Sequence, residues 1–284
     1  MGAGDAMTRQ VAILALVFAL TATAVLPAAV DPNPQHPWEK AQQVLDATKA
    51  DFEAGDQFSA VERNLADLED ALKTALPTMT PVATEGDAAF VLADSPAQVL
   101  VGSISVATAS KASNSTAKKI WWIADPYPPI SFYLGSYYNE KNRQEDALRV
   151  LDAGIAVSDI DSVGLGIYDS LLLSEKGVAL EGLKRYDEAL AALARGLALK
   201  GLDPHDRARL YRGRGFVYTE LGKLDDAERA YNDSLTCEPG NERALHELAY
   251  IAHLRAGAAP TAPTIATVPP PKSDAPQPAN CASE

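Results

Sequence analysis

The sequence predicts an all-α protein, most of it a solenoid of about three stacked helix pairs closed by a single capping helix. Six columns of residues recur in three registers between positions 130 and 256. Ahead of them, apolar residues three and four apart mark a helical hairpin over 38–76. The composition agrees, because 47% of the 284 residues are apolar but only 7% aromatic. Much of that apolar share is alanine, which favours closely packed helices over a sheet sandwich.

Residues 1–24 read as an export signal. Arg9 supplies a positive start, Val11 to Leu20 is unbroken apolar sequence, and Ala22 and Ala24 are small residues at the cleavage-determining positions. The apolar run is shorter than the roughly 20 residues a membrane span needs, so cleavage is expected and an uncleaved anchor is the alternative. No integral span is expected elsewhere, and the expected location is the periplasm or the outside of the cell envelope. The net charge of −13 repels phosphate backbones and argues against a nucleic-acid partner. Cys237 and Cys281 are the only cysteines. An oxidising compartment permits them to pair, and two separate thiols fit the spacing equally well.

Pro32, Pro34 and Pro37 make a short extended lead-in. In the hairpin, Val44, Leu45, Thr48 and Phe52 share one face; Gly55 and Asp56 break the run; Val61, Leu65, Leu68 and Leu72 continue it as a second arm up to Pro77. Residues 77–129 differ in kind. Prolines punctuate short apolar runs, and Ile104, Val106 and 120–123 have strand-like composition. This reads as an irregular linker holding short strands, with room for a small β-hairpin. Residues 257–284 carry seven prolines among Ala, Thr and Ser, the composition of a disordered tail.

The repeat lies between linker and tail. Gly135, Gly177 and Gly215 are each followed after three residues by Tyr138, Leu180 or Tyr218 and after twelve by Ala147, Ala189 or Ala227. Four further on stand Leu151, Leu193 and Tyr231; three beyond those come Gly154, Gly196 and Ser234, then at once Ile155, Leu197 and Leu235. Glycine inside a helix costs about 1 kcal/mol against alanine, so its repetition needs a packing cause. The cause expected is a close crossing of two antiparallel helices, with small residues of one meeting small residues of the other. Acidic pairs at 145–146, 187–188 and 225–226 fall in the first turn of each second helix, where negative charge suits the dipole.

This pattern resembles the tetratricopeptide repeat. The match is closest in the third unit, at Gly215, Tyr218, Leu221, Gly222, Ala227, Tyr231, Ser234 and Pro239; Leu134, Gly135, Tyr138 and Ala147 match in the first. Leu245, Leu248 and Ala249 would begin a terminal helix that lacks a partner, the cap such arrays require. The resemblance implies a TPR-like α-solenoid. The glycine spacings of 42 and 38 exceed the family period of about 34, so the array is expected to be irregular.

The resemblance also implies an inner wall built from the first helix of each pair. On it would stand Phe132, Ser136 and Asn139, then Ser174, Val178 and Glu181, then Arg209, Arg212 and Phe216, and on the cap Arg243, His246, Tyr250 and His253. Its C-terminal half would be basic and aromatic, which suits an acidic or carboxylate-bearing extended peptide or protein. The candidate partner-binding residues are therefore Asn139, Arg209, Arg212, Phe216, Arg243, His246 and Tyr250. The carboxylate-clamp subclass of the family sets paired Lys and Asn in its first unit, where this chain has Phe132 and Ser136. His246 and His253, with Glu242 nearby, are the one conceivable metal pair, and no cofactor is expected. No Ser-His-Asp order, glycine-rich phosphate loop or HExxH is present. The leading expectation is a non-catalytic interaction scaffold. The alternatives are an envelope assembly coordinator that oligomerises through its N-terminal helices, and an enzyme with a site in 77–130.

Overall fold

Pro37 opens the first helix, since its missing donor is one that a first turn leaves unpaired in any case. In the computed structural model, which describes residues 36–78, 81–85, 88–112, 119–158, 166–257 and 281, this helix α1 covers Pro37–Ala54. The Glu39 carboxylate accepts the His36 N–H at 3.1 Å. After Gly55, Asp56 caps α2 (Gln57–Arg63) by accepting the Ser59 N–H at 2.9 Å. The second arm expected as one helix is broken at Asn64, beyond which α3 runs over Leu65–Lys73. The Asn64 side chain donates to the Ala60 carbonyl and to the Asp51 carboxylate, each at 2.9 Å, and so competes locally for helix acceptors. The hairpin's apolar side is covered by the chain itself. Trp38, Leu45, Val61 and Leu68 share one core with Tyr127, Ile130 and Leu134, and Phe52 sets its ring edge-on to Tyr133 at 5.1 Å.

The 77–129 region is more ordered than expected. It holds β1 (Pro81–Glu85), β2 (Ala88–Ala93), helix α4 (Pro96–Ala112) and β3 (Lys119–Ala124). The strands lie in chain order; β1 pairs antiparallel with β2, and β2 pairs parallel with β3 across the α4 crossover. The strand composition of 120–123 is realised in β3, whereas Ile104 and Val106 belong to α4. That helix escaped notice because its apolar residues follow no stripe of period 3.6 and its Ser, Thr and β-branched residues are weak helix formers. The sheet docks on α1 through Phe90, whose ring centroid is 6.1 Å from that of Trp38.

The array follows as α5 (Tyr127–Glu140), α6 (Gln144–Val157), α7 (Asp169–Gly182), α8 (Tyr186–Leu197), α9 (Pro204–Glu220), α10 (Leu224–Cys237) and α11 (Glu242–Arg255). One turn closes all three pairs. The Arg143, Arg185 and Lys223 N–H groups donate to the carbonyls of Tyr138, Leu180 and Tyr218 at 2.8, 2.8 and 2.9 Å. The residue before each donor is left-handed: Asn142 at φ 55°, Lys184 at 60° and Gly222 at 69°. This is the Schellman way of satisfying the last helical carbonyls. Only the third unit places glycine there.

The repeated glycines meet large residues, which corrects the expected small-on-small contact. A Cβ at Gly135 would lie 2.5 Å from Leu151, one at Gly177 2.9 Å from Leu193, and one at Gly215 2.8 Å from the Tyr231 ring. The small residues of the second helices divide. Gly154 meets Ser131 of its own pair, small on small as expected, and also touches the next pair, whereas Gly196 serves the next pair. A Cβ at Gly154 would approach Leu172 at 3.4 Å besides overlapping Ser131, and one at Gly196 would meet Leu210 at 2.8 Å. Two further columns then align: Ile130, Leu172, Leu210 and Ala244, and Tyr137, Ala179, Val217 and Ile251, all buried. On α11 these two positions are buried against the preceding unit, while Ala249, at the glycine place, is exposed; among the described residues no second helix covers it. That is how a cap should look.

Cys237, the last residue of α10, is disulfide-bonded to Cys281. The expected signal at 1–24, and the tail apart from Gly257 and Cys281, lie outside the described residues. Among the described residues no helix is long and apolar enough to cross a membrane.

Candidate functional site

The first helices of the pairs, α5, α7 and α9, pack side by side with α11 to form one wall. Asn139 does not stand free on it. Its Nδ2 donates to the backbone carbonyl of Glu175 at 3.0 Å and to the Glu175 carboxylate at 2.9 Å, tying α5 to α7. Burial holds the Glu175 carboxyl above its ordinary value, with the Asn139 hydrogen bond and the charge of Arg209 pulling the other way. Asn139, Glu175 and Arg209 thus form one line across three helices.

Arg212 is committed in a similar manner. Its Nη1 donates to Glu238 Oε2 at 2.7 Å and to Ser234 Oγ at 3.3 Å. With its side chain 15% and that of Glu238 17% exposed, the pair braces α9 against the end of α10. Burial lowers the Arg212 pKa, and the like charges of Arg209 and Arg243 add to that. Three guanidinium groups therefore converge from the N-terminal halves of α9 and α11. Of these, Arg209 is half-buried and Arg243 exposed.

The remaining candidates are more dispersed. Phe216 and Tyr250 are half-buried and His246 is exposed; His246 Nδ1 lies 3.8 Å from Glu247 Oε1. Phe132 packs within an aromatic group, 5.5 Å from Tyr133 and 5.9 Å from Tyr168 between ring centroids. Ser174 is buried, whereas Val178 is 47% exposed. His253 is exposed on α11, as is Glu242.

The wall is not uniformly basic and aromatic toward its C-terminal half. Glu181 and Glu220 stand in the last turns of α7 and α9, with Glu247 in the middle of α11. Burial, with Glu220 as a like charge, pushes the Glu181 carboxyl up to about 7. Burial also raises Glu247, again with Glu220 acting as a like charge. The groove is consequently bipolar. Arg209 and Arg243 lie toward the start of their helices and Glu181 and Glu220 at the end of theirs, with Arg212 and Glu247 between, and the helix dipoles have the same sense. Glu175 and Glu238 escaped sequence reasoning, since nothing in spacing separates them from surface glutamates and Glu238 reads only as the residue before the terminating Pro239. Two clefts lie apart from these residues. One of about 340 Å³ is lined by Ala97, Ile167, Ser170, Leu202 and Asp206, and one of about 330 Å³ by Tyr211, Arg214, Tyr218 and Arg229.

A family profile described as tetratricopeptide repeat matches residues 168–237, the span of α7 to α10. Among solved structures, the first TPR domain of the human RPAP3 protein is similar at 23% identity and a TM-score of 0.39, over 46% of this chain and 94% of that one. The second TPR domain of the same human protein, determined in complex with an HSP70 peptide, is similar at 25% identity and a TM-score of 0.36, over 44% and 98% of the respective chains. No curated protein matches the chain. The pairs α7–α8 and α9–α10 are tetratricopeptide repeats.

Proposed function

We propose that this chain, a carrier of tetratricopeptide repeats, is a non-catalytic scaffold that holds a protein or extended peptide in the groove formed by α5, α7, α9 and α11. The observation that carries the reading is the bipolar wall. Arg209 and Arg243 offer guanidinium forks at one edge, and Arg212, braced by Glu238, holds a third positive charge behind them. A carboxylate suits that edge, because arginine grips it with two parallel hydrogen bonds. The glutamate edge favours a basic or neutral residue further along the same partner. Asn139 and Arg212 act by positioning their neighbours, and Phe216 and Tyr250 supply apolar contact between the edges.

The scaffold works outside the cytoplasm. The export-like N-terminus motivates this, and the Cys237–Cys281 disulfide supports it, since such bonds persist in oxidising compartments. Fluorescence anisotropy tests the groove with synthetic peptides of about eight residues. They are acidic with a free C-terminal carboxylate, the same with an amidated end, or lysine-substituted. The free acid should bind best, with an affinity that falls as salt rises. Arg209→Ala combined with Arg243→Ala should weaken it about tenfold or more. Binding indifferent to peptide charge, or unaltered in the double variant, refutes the assignment.

A further inference from the structure

Where the β–α insert meets the helical array, three carboxyl groups come together. Asp94 follows β2 and Asp125 follows β3; these strands run parallel with Ala93 paired to Ala124, so the two aspartates leave the sheet side by side. Asp169, at the start of α7, is near enough for Asp94 to act on it electrostatically, as Asp94 also does on Asp125. Asp125 is 4% exposed and Asp169 fully buried.

The three aspartates hold separate segments together. The Thr78 hydroxyl donates to Asp125 Oδ2 at 2.6 Å, and the Tyr127 N–H donates to Oδ1 at 2.9 Å. Asp94 Oδ1 accepts the Ile167 N–H at 3.3 Å, which links the insert to the strap before α7. Asp169 Oδ2 accepts the Gly166 N–H at 2.9 Å within that strap. The Thr78 N–H in turn donates to the Val157 carbonyl at the end of α6, at 2.8 Å. Among the described residues, Asp94 Oδ2 and Asp169 Oδ1 are buried with no well-aligned hydrogen-bond partner, though the Ser158 hydroxyl beside Asp169 and the Tyr168 N–H beside Asp94 favour the charged forms. Arg195 of α8 is, among the described residues, the cation that acts on Asp169. Asp94 and Asp125 are influenced by hydrogen-bond donors and burial, and Asp125 by the neighbouring carboxyl. The phenols at this place, on Tyr127 and Tyr168, are themselves pushed upward by burial.

Unpaired buried carboxylate oxygens are costly when charged and much less so when protonated. Three such groups at one joint are more than a single cation balances. We propose that this joint is a proton-operated clasp: protonated, it holds the β–α insert on the helical array, and ionised, it loosens it through the mutual repulsion of its carboxylates.

Burial pushes Asp125 up to about 7 and Asp169 up to about 6, both from 3.8, and raises Asp94 too. The closed joint therefore binds protons that an opened, solvated joint releases. Closure is most favoured below the ordinary carboxylate value, and that favour drains away as pH climbs through 6 and 7. This direction is opposite to that of a salt-bridged aspartate.

Hydrogen exchange on the full chain reads the clasp, with rates corrected for the intrinsic pH dependence of exchange. Between about pH 5 and about pH 7.5, opening of residues 88–98 and 166–172 should rise roughly tenfold or more, while α10 changes far less. Asp125→Asn should cut that rise by about threefold or more. No rise in the wild type, a rise kept in full by the variant, or an equal rise in α10 overturns the clasp. If Asp125→Asn does not fold, infrared titration of the wild type and of Asp94→Asn decides. A band from buried protonated carboxyls must be present at about pH 5, gone by about pH 8, and weaker in Asp94→Asn, which separates the joint from the buried groove glutamates; a band absent, or unchanged in that variant, overturns the proposal. Neither measurement involves a groove partner, so both stand or fall apart from the binding assignment.

Discussion

Gly135 makes the tightest of the three glycine contacts, and its replacement by alanine tests how the pairs are held. The new methyl would lie 2.5 Å from both Cγ and Cδ2 of Leu151 and 3.0 Å from Cδ1. Carbon atoms normally rest about 3.5–4.0 Å apart, so two atoms overlap by roughly 1 Å. Leu151 is fully buried and cannot swing into solvent, which leaves α5 and α6 to separate. Overpacking of this kind costs about 1–3 kcal/mol and occasionally more, against about 1 kcal/mol regained from helix propensity. An overlap of roughly 1 Å with a residue that cannot move puts the cost in the upper part of that range. A net loss of about 1–2 kcal/mol is therefore expected, with Tm falling about 2–4 °C for each. Leu151→Ala alone removes buried carbon and should cost about 2–5 kcal/mol. In the double variant the methyl added at position 135 enters the space that Leu151 vacates. The combined loss should thus fall short of the sum by about 1–3 kcal/mol. Urea unfolding of the four proteins, followed by circular dichroism, supplies the cycle. A neutral or stabilising Gly135→Ala, or additivity within about 0.5 kcal/mol, refutes the packing argument.

Lys184 holds a left-handed turn at φ 60° where the third unit uses Gly222. Lys184→Gly should stabilise by about 0.5–1 kcal/mol, the relief of Cβ strain exceeding the added freedom of the unfolded chain; a raised urea midpoint at constant slope checks it. Glu181 titrates near 7 in the folded protein against 4.5 ordinarily, so folding holds a proton that the unfolded chain releases between those values. Stability should fall as pH rises through that window, and Glu181→Gln should flatten this part of the pH–Tm curve. A variant curve parallel to the wild type counts against the assignment.

The array was legible because each pair solves the same contact problem. Gly135, Gly177 and Gly215 recur since Leu151, Leu193 and Tyr231 need the room they leave, and the turn donors Arg143, Arg185 and Lys223 recur since every first helix must end in one way. Spacing alone could not say which residue each glycine faces; the small-on-small expectation failed there. The α4 helix was missed for a different reason. It finds its place by covering β2 within a crossover, and a helix set by tertiary contact carries no stripe of its own. The break at Asn64 turns on one side chain reaching Asp51, thirteen residues away, a contact that periodicity does not encode.

The groove obeys the converse logic. Positions that pack the pairs together repeat from unit to unit, whereas positions facing the groove do not. Arg209 and Arg243, which share one repeat position, are the exception; Asn139 and Glu175 differ from them and from each other, and Val178 and Phe216, which hold another position, differ in size and exposure. Packing alone would let the wall drift toward interchangeable polar residues. Instead, the half-buried Arg212–Glu238 pair holds two charges at 2.7 Å, an arrangement that adds little stability over an apolar pair of the same volume. Its effect is positional. It fixes one guanidinium behind Arg209 and Arg243 and keeps the positive edge in place whether or not a partner is bound. On the proposed reading of the groove that rigidity favours capture of a charged partner, because side chains already ordered lose less freedom on binding.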